Sequence, residues 1–516
     1  LAAQKTGRPV RVQLDRDLDM TISGKRHPFR AEFDVGYDDD GHILAARIHL
    51  VSDGGWSLDL SQPINDRALY HLDNAYYIPA VEFSGRVAKT HTTSHTAFRG
   101  FGGPQGMLVI EEIIGRIAQV RNLAPEIVRS SNFYHGEGES NTTPYGQEVE
   151  NNRLDRIWTE LLKESGFARR REEIQDWNAR HPRVKRGLAI TPVKFGIAFT
   201  FTPYNQAGSL VLLYRDGSVQ VNHGGTEMGQ GLHTKILGVV MRILGLPRDR
   251  IRMMPTRTDK VPNTSATAAS SGSDLNGAAV ADACRTLTAR LTPLAAELLG
   301  VQCGATVKED EILWQDNAIC WSKDETVRIP LAQLTEQAYH QRISLSVAGY
   351  YKTPLIHWDW AIGKGRPFHY FAFGAAVSEV EIDTASGMMQ VRRVDILHDV
   401  GDSLNPGVDR GQIEGGFVQE GFISADGVEE IRLRYDFDTP DFVNRASAGK
   451  EEIAKVEFRL VLANDYQVWL TSDRQLNATD QSVLLLVAQA EGNVKDNTNL
   501  RVVSFEYGLP TATQIW

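Results

Sequence analysis

The stretch from Thr96 to Gly106, Thr-Ala-Phe-Arg-Gly-Phe-Gly-Gly-Pro-Gln-Gly, places the tightest limits on how the chain can fold. It sets Arg99 between two aromatics, bends on glycines and enters a helix. Glycine lets a backbone approach a bound group closely. Pro104 suits a first helical turn, and the helix start behind it leaves N–H donors for an anion. Val109, Ile110, Ile113, Ile114 and Ile117 recur at helical spacing and predict a helix over 105–121 with one face in a core. Read alone, the stretch is either a glycine turn joining a strand to a core helix or a seat for an anionic cofactor beside a planar substrate.

A chain of 516 residues has material for more than one core, and 42% hydrophobic with 23% charged residues is a globular composition. The formal charge of −10 argues against a nucleic-acid binder, which needs clustered Lys and Arg. No apolar run is long enough to span a bilayer, so no membrane partner is expected. Cys284, Cys303 and Cys320 show no C-x-x-C pairing. They suit a reducing compartment, hence a cytoplasmic location, and leave no iron–sulfur or structural zinc site in this chain.

Three hairpins follow one grammar. Ala31, Phe33 and Val35 alternate up to Asp39-Asp40-Gly41, and Ile43, Ala45 and Ile48 return. Ser209–Tyr214 turns at Asp216-Gly217 into Ser218–Asn222, and Val377–Ile382 turns near Ser386-Gly387 into Met389–Ile396. Between them the spacing predicts helices over 154–174, 232–244 and about 274–299. The class expected is α+β, mixed α/β, with a second lobe beginning somewhere around 155–185.

Further stretches have the residue types of a binding site. His223-Gly-Gly-Thr-Glu-Met-Gly-Gln-Gly-Leu-His233 is a glycine loop entering a helix, but it lacks the Lys-Ser/Thr of a P-loop. Its two histidines have no third partner at metal-site spacing. Backbone donors and the Gln230 amide suit a polar heterocycle or a pyrophosphate. Asn263 to Ser273 puts small hydroxyl residues at a helix start, where they cap the helix or bind an anion. Phe199 in Gly196–Thr200 belongs either to a core or to a ligand, and Gly411 to Phe417 is a glycine-bearing helix after a turn.

Taken together and in this order, Asp66-Arg67-Ala68-Leu69, Thr96 to Gln105, Phe199-Thr200, His223 to Lys235, Thr267 to Ser270 and Gly411 to Gln419 resemble the molybdenum-binding subunit or domain of the xanthine dehydrogenase family. These molybdenum hydroxylases include aldehyde oxidase. The resemblance runs from Leu1 to about Gln419 and implies two molybdopterin-binding lobes, 1–154 and 155–419. It implies Arg99 beside the metal, with Ala269, and rings of Phe101 and Phe199 holding a flat heterocycle by face and edge. Thr200 resembles a substrate hydrogen-bonding position, and Arg67 the arginine that balances charge building on a purine. Met228, Gly229, Gln230, Ala268, Ala269, Ser270, Ser271 and Gln412 resemble the contacts of the pterin and the metal shell. The implied reaction is oxidative hydroxylation of hypoxanthine or xanthine with water as oxygen source. Electrons leave through [2Fe-2S] clusters to FAD, expected on partner subunits or domains.

Two family strings do not occur in the chain: Gly-Gly-x-Phe-Gly-Gly-Lys-Glu, whose glutamate anchors substrate, and Val-Gly-Glu-Pro-Pro, whose glutamate is the general base. The chain is therefore expected to be incomplete at its start, to diverge after Gln419 and to be impaired in turnover. Residues 420–516 alternate at Val456–Leu462, Tyr466–Leu470 and Arg501–Tyr507, with an apolar run at Ser482–Val487. They read as a β-rich segment unrelated to the family, either a sandwich or part of a larger sheet. Two other functions remain open on the residues: oxidation of an aldehyde or another N-heterocycle, and a non-catalytic chimera with a β-rich interaction module.

Overall fold

The computed structural model describes residues 1–136, 139–257, 259–260 and 263–420, with side chains to residue 416, and beyond them the backbone of five strands. Helices α1 (Ala2–Thr6) and α2 (Arg16–Ile22) bury no residue. The predicted first hairpin forms as β1 (Phe29–Tyr37) and β2 (Ile43–Gly55), joined antiparallel. After α3 (Ser61–Tyr70), β3 (Ala80–Lys89) pairs parallel to β2 and completes a three-stranded sheet. The Thr96–Gly106 stretch then leads into α4 (Gly103–Arg121), followed by α5 (Pro125–Ser131).

The single helix expected over 154–174 is two, α6 (Leu154–Glu164) and α7 (Phe167–Arg180). Gly166 separates them at φ 66°, the left-handed conformation that ends a helix at little cost only for glycine. Strand β4 (Val184–Ile197) follows, and the second hairpin forms as β5 (Gln206–Leu213) and β6 (Val219–His223). Then come α8 (Leu232–Leu244), β7 (Ile251–Met253) and the long α9 (Gly272–Cys303). A small sheet of β8 (Ile312–Gln315), β9 (Ala318–Trp321) and β10 (Asp324–Pro330) precedes α10 (Leu331–His340). Strand β11 (Ser346–Lys352) joins the sheet β11-β5-β6-β7. A ribbon of β12 (His357–Asp359) and β13 (Lys364–Arg366) leads to the third hairpin, β14 (Tyr370–Asp383) and β15 (Met389–His398). Helix α11 (Pro406–Glu420) ends the continuously described chain.

Among the described residues two large apolar cores organise these elements, beside a small cluster of Ala207, Leu275 and Ala279 against which Phe199 packs. One joins Ile48, Leu50, Ile110, Ile114, Trp158, Ile190, Phe368 and Val377. The other joins Val211, Val221, Ile236, Val240, Leu287 and Leu334. The first core thus draws on chain before and after the second. Among the described residues no helix is long and apolar enough to cross a membrane.

In the C-terminal stretch β16 (Glu430–Arg434) lies parallel to β15 and extends the order β16-β15-β14-β4. β17 (Lys455–Leu462) and β18 (Tyr466–Gln475) form an antiparallel pair where alternation predicts strands, and β19 (Ala488–Ala490) pairs with β20 (Leu500–Val502). The run Ser482–Val487 and the end of Arg501–Tyr507 lie outside the described residues.

Candidate functional site

Helices α3 and α4 pack closely because α4 begins with small residues. A Cβ on Gly102 would lie 2.1 Å from the Ile64 carbonyl oxygen, and one on Gly106 would lie 2.2 Å from that of Ala68. Gly102 has φ 98°. The contact draws Phe101 toward the helix that carries Arg67. Phe101 is itself at φ 53°, an unfavourable region for an aromatic residue and one that clusters at ligand sites.

Arg67 is buried at 2% exposure. Its guanidinium donates to the Gly196 carbonyl at 3.0 Å and to that of Ala198. It also lies over the rings of Phe195 and Phe368, at 5.5 and 5.3 Å. Burial lowers its pKa to about 10, which still leaves it charged at neutral pH. The cation is thereby fastened to the end of β4, one residue before Phe199 and two before Thr200. Asn205 holds Phe199 from the other side: its Oδ1 accepts the Phe199 N–H at 2.8 Å and its Nδ2 donates to the Phe199 carbonyl at 2.9 Å. Both Phe199 and Thr200 are half-buried, and the Phe199 ring meets Tyr204 edge-on at 5.6 Å. No ring contact joins Phe101 to Phe199 among the described residues.

Arg99 is exposed and reaches α11, where its guanidinium donates to the Gln412 carbonyl at 2.9 Å. A Cβ on Gly416 would lie 3.2 Å from the Arg99 guanidinium carbon, so the helix glycine makes room for it. The same helix meets the glycine loop: Lys235 pairs with Asp409, and Gly231 faces Val408 closely enough that a Cβ would lie 2.6 Å from it. The Thr226 N–H donates to Thr267 Oγ1 at 2.8 Å, which ties that loop to the start of α9. The predicted stretches separated by more than 300 residues therefore meet.

Within the glycine loop the donors turn inward. The Glu227 carboxylate accepts the N–H groups of Gly229, Gly231 and His233, each at 2.9 Å. Partial burial would raise its pKa, but these donors outweigh burial and hold it below the ordinary carboxylate range. Gln230 also bonds within the loop, through the Met228 N–H at 2.6 Å and the Thr226 carbonyl at 2.8 Å. Glu227 is absent from the expected site residues, although a carboxylate just before a helix start is a readable signal. Met228 is exposed, and a Cβ on Gly229 would meet nothing within 4 Å, so the outer side of the loop is open.

The start of α9 differs. Ala269 and Ser270 are both in the left-handed region, at φ 57° and 56°, without being glycine. Ser271 Oγ turns back to the Ala268 carbonyl at 3.1 Å, so the N-cap side chain does not cap the helix. Its first-turn N–H groups, which have no intrahelical partners, suit a phosphate or another anion. A strained turn, an uncapped long helix and an open glycine loop fit a phosphate-bearing cofactor.

The histidines of the loop serve otherwise. His223 Nδ1 accepts the Gly225 N–H at 3.1 Å, and burial, with His233 beside it, lowers its pKa to about 4. Among the described residues no three His, Cys, Asp or Glu side chains gather as metal ligands.

Two families described as molybdopterin cofactor-binding domains match the chain, one over residues 1–133 and the other over residues 160–421. Xanthine dehydrogenase/oxidase of Gallus gallus is 46% identical to it over 434 residues. The chain belongs to the family of molybdopterin cofactor-binding domains. The Gallus alignment takes in 84% of this family member and 29% of that relative. Xanthine dehydrogenase of Oryza sativa subsp. japonica is 44% identical, over 81% of this chain and 28% of its own. The chain therefore spans under a third of the length of these relatives. Among solved structures, CO dehydrogenase from Oligotropha carboxidovorans superposes with a TM-score of 0.70 at 22% identity, covering 81% of this chain and 52% of that one. Quinoline 2-oxidoreductase from Pseudomonas putida 86 gives 0.70 at 21% identity, covering 85% and 59%. At such identities the likeness concerns the fold, here the mixed α/β fold of molybdopterin-binding lobes.

Proposed function

We propose that this chain is the molybdopterin-binding, substrate-facing part of a xanthine dehydrogenase-type oxidoreductase that hydroxylates a purine, hypoxanthine or xanthine. The observation that carries the reading is Arg67, a buried, charged guanidinium fastened beside Phe199 and Thr200. A cation placed in advance of the reaction stabilises negative charge that builds on a heterocycle, and an aldehyde has no such need. The names of the Gallus and Oryza relatives agree with it.

In this proposal Phe101 and Phe199 hold the flat substrate and Thr200 hydrogen-bonds it. The start of α9 from Ala268 to Ser271 holds the cofactor phosphate. Met228, Gly229, Gln230 and Gln412 face the pterin, and Arg99 and Ala269 stand beside the metal. The bound molybdenum–pterin group supplies the two-electron oxidation. FAD and [2Fe-2S] clusters belong to partner subunits or domains, and a cytoplasmic location is part of the same reading.

The test replaces Arg67 with Met in the molybdenum-loaded complex and compares substrates. Xanthine turnover is expected to fall about 100-fold or more, and aldehyde turnover much less. Equal losses would reject the purine in favour of an aldehyde or another heterocycle.

A further inference from the structure

Among the described residues strand β4 is an edge: in the order β16-β15-β14-β4 only β14 pairs with it. An edge strand leaves every second residue with an unpaired N–H and carbonyl. Here the end of α3 and the turn after it take those groups rung by rung. Asn74 Nδ2 donates to the Pro192 carbonyl at 3.0 Å, and its Oδ1 accepts the Lys194 N–H at 3.1 Å. His71 Nε2 accepts the Gly196 N–H at 3.1 Å. Arg67 then takes the carbonyls of Gly196 and Ala198. The groups fall at residues 192, 194, 196 and 198, the spacing of one strand edge.

His71 is the rung that joins both partners. Its Nδ1 lies 2.9 Å from the Arg67 carbonyl oxygen, an acceptor only, so Nδ1 carries the proton. Nε2 accepts the hydrogen bond of the Gly196 N–H and is therefore the lone-pair nitrogen. The ring is 1% exposed and packs on Phe195 at 4.7 Å and Phe368 at 5.3 Å. Burial, and then the positive charges of Arg67 and Lys194, keep it neutral.

We propose that His71 is a positioning residue for the substrate end of the site, clamping the helix that bears Arg67 to the strand end that delivers Phe199 and Thr200. It acts through both neighbours at once: its N–H fixes the Arg67 backbone, and its lone pair fixes Gly196, whose carbonyl the same arginine holds. The guanidinium and the Phe199–Thr200 segment are thus set as one unit. The kinetic part of this role rests on the purine reading above; the clamp itself does not.

Amide hydrogen exchange on the whole chain tests the clamp. His71→Ala is expected to speed exchange at Gly196 by about tenfold or more, the loss of one buried hydrogen bond. His71→Gln keeps a donor and an acceptor and is expected to restore most of the protection. Asn74→Ala, one rung farther from the site, is expected to loosen Lys194 and leave Gly196 protected. The same variants in the molybdenum-loaded complex test the consequence. His71→Ala is expected to raise KM for xanthine about tenfold, with kcat less affected, and His71→Gln to bring it back. Unchanged Gly196 exchange in His71→Ala overturns the proposal, and so does equal loosening of Gly196 in Asn74→Ala. Loosened Gly196 with unaltered KM overturns the positioning role. A raised KM shared equally by xanthine and an aldehyde upholds positioning and overturns the purine reading.

Discussion

Arg67 and His223 show how single residues in this chain answer to burial. Arg67→Lys keeps the charge but cannot reach two carbonyls in the planar fork of a guanidinium. Losing one charge-assisted bond at a buried site is expected to cost about 1.5–3 kcal/mol, read from urea unfolding. His223 carries a pH dependence whose sign is fixed. Its pKa is about 4 in the folded chain against an ordinary 6.5, so between those values the unfolded chain binds the extra proton. Its contribution is whole above pH 6.5 and is lost as pH falls toward 4, on the order of 3 kcal/mol. His27, buried and also lowered to about 4, adds a second loss of the same sign. The urea midpoint is therefore expected to drop between pH 7 and pH 4, and His223→Gln to shrink that drop.

Two glycines of α4 give opposite expectations within one element. A Cβ on Gly106 runs into the Ala68 carbonyl, so Gly106→Ala must push α3 and α4 apart, at about 1–3 kcal/mol. A Cβ on Gly115 meets nothing within 4 Å, so Gly115→Ala is expected to stabilise by about 0.5–1 kcal/mol. Thermal unfolding of the two variants against the parent checks both signs. Much at this scale was legible in the sequence, because it follows from local chemistry. Asp216-Gly217 marks its hairpin, and Ile236 and Val240, read with the half-buried Val239 and Ile243, mark the face of α8 that enters the core. The break at Gly166 was not, since a lone glycine in a helical pattern can be tolerated or can end the helix. Nor was the clamp on β4, whose partners are 118 to 131 residues apart in the chain. The left-handed Phe101, Ala269 and Ser270 are conformations that tertiary context imposes on residues that do not favour them. The order of the site stretches was legible; the contacts holding Arg99 to Gln412 and Thr226 to Thr267 were not.

At the scale of the whole molecule, a chain of contacts runs from Arg99 through α11 to the glycine loop and α8, and from that loop to the start of α9. Arg99 joins the first core region to α11, Lys235 joins α11 to α8, and Thr267 joins the loop to α9. This linkage suits one extended anionic cofactor better than separate small sites, because each contact ties one element to the next. The most direct test is the pterin recovered from the purified chain after expression in a host that makes the cofactor. Oxidation to a fluorescent derivative measures the pterin, and elemental analysis measures molybdenum. Ser270→Glu puts a negative charge at the uncapped start of α9 and should repel an anion without disturbing either core. Pterin is expected with the parent chain, and a several-fold loss with Ser270→Glu. Equal recovery from the two, or none from the parent, would contradict a cofactor seat at the start of α9.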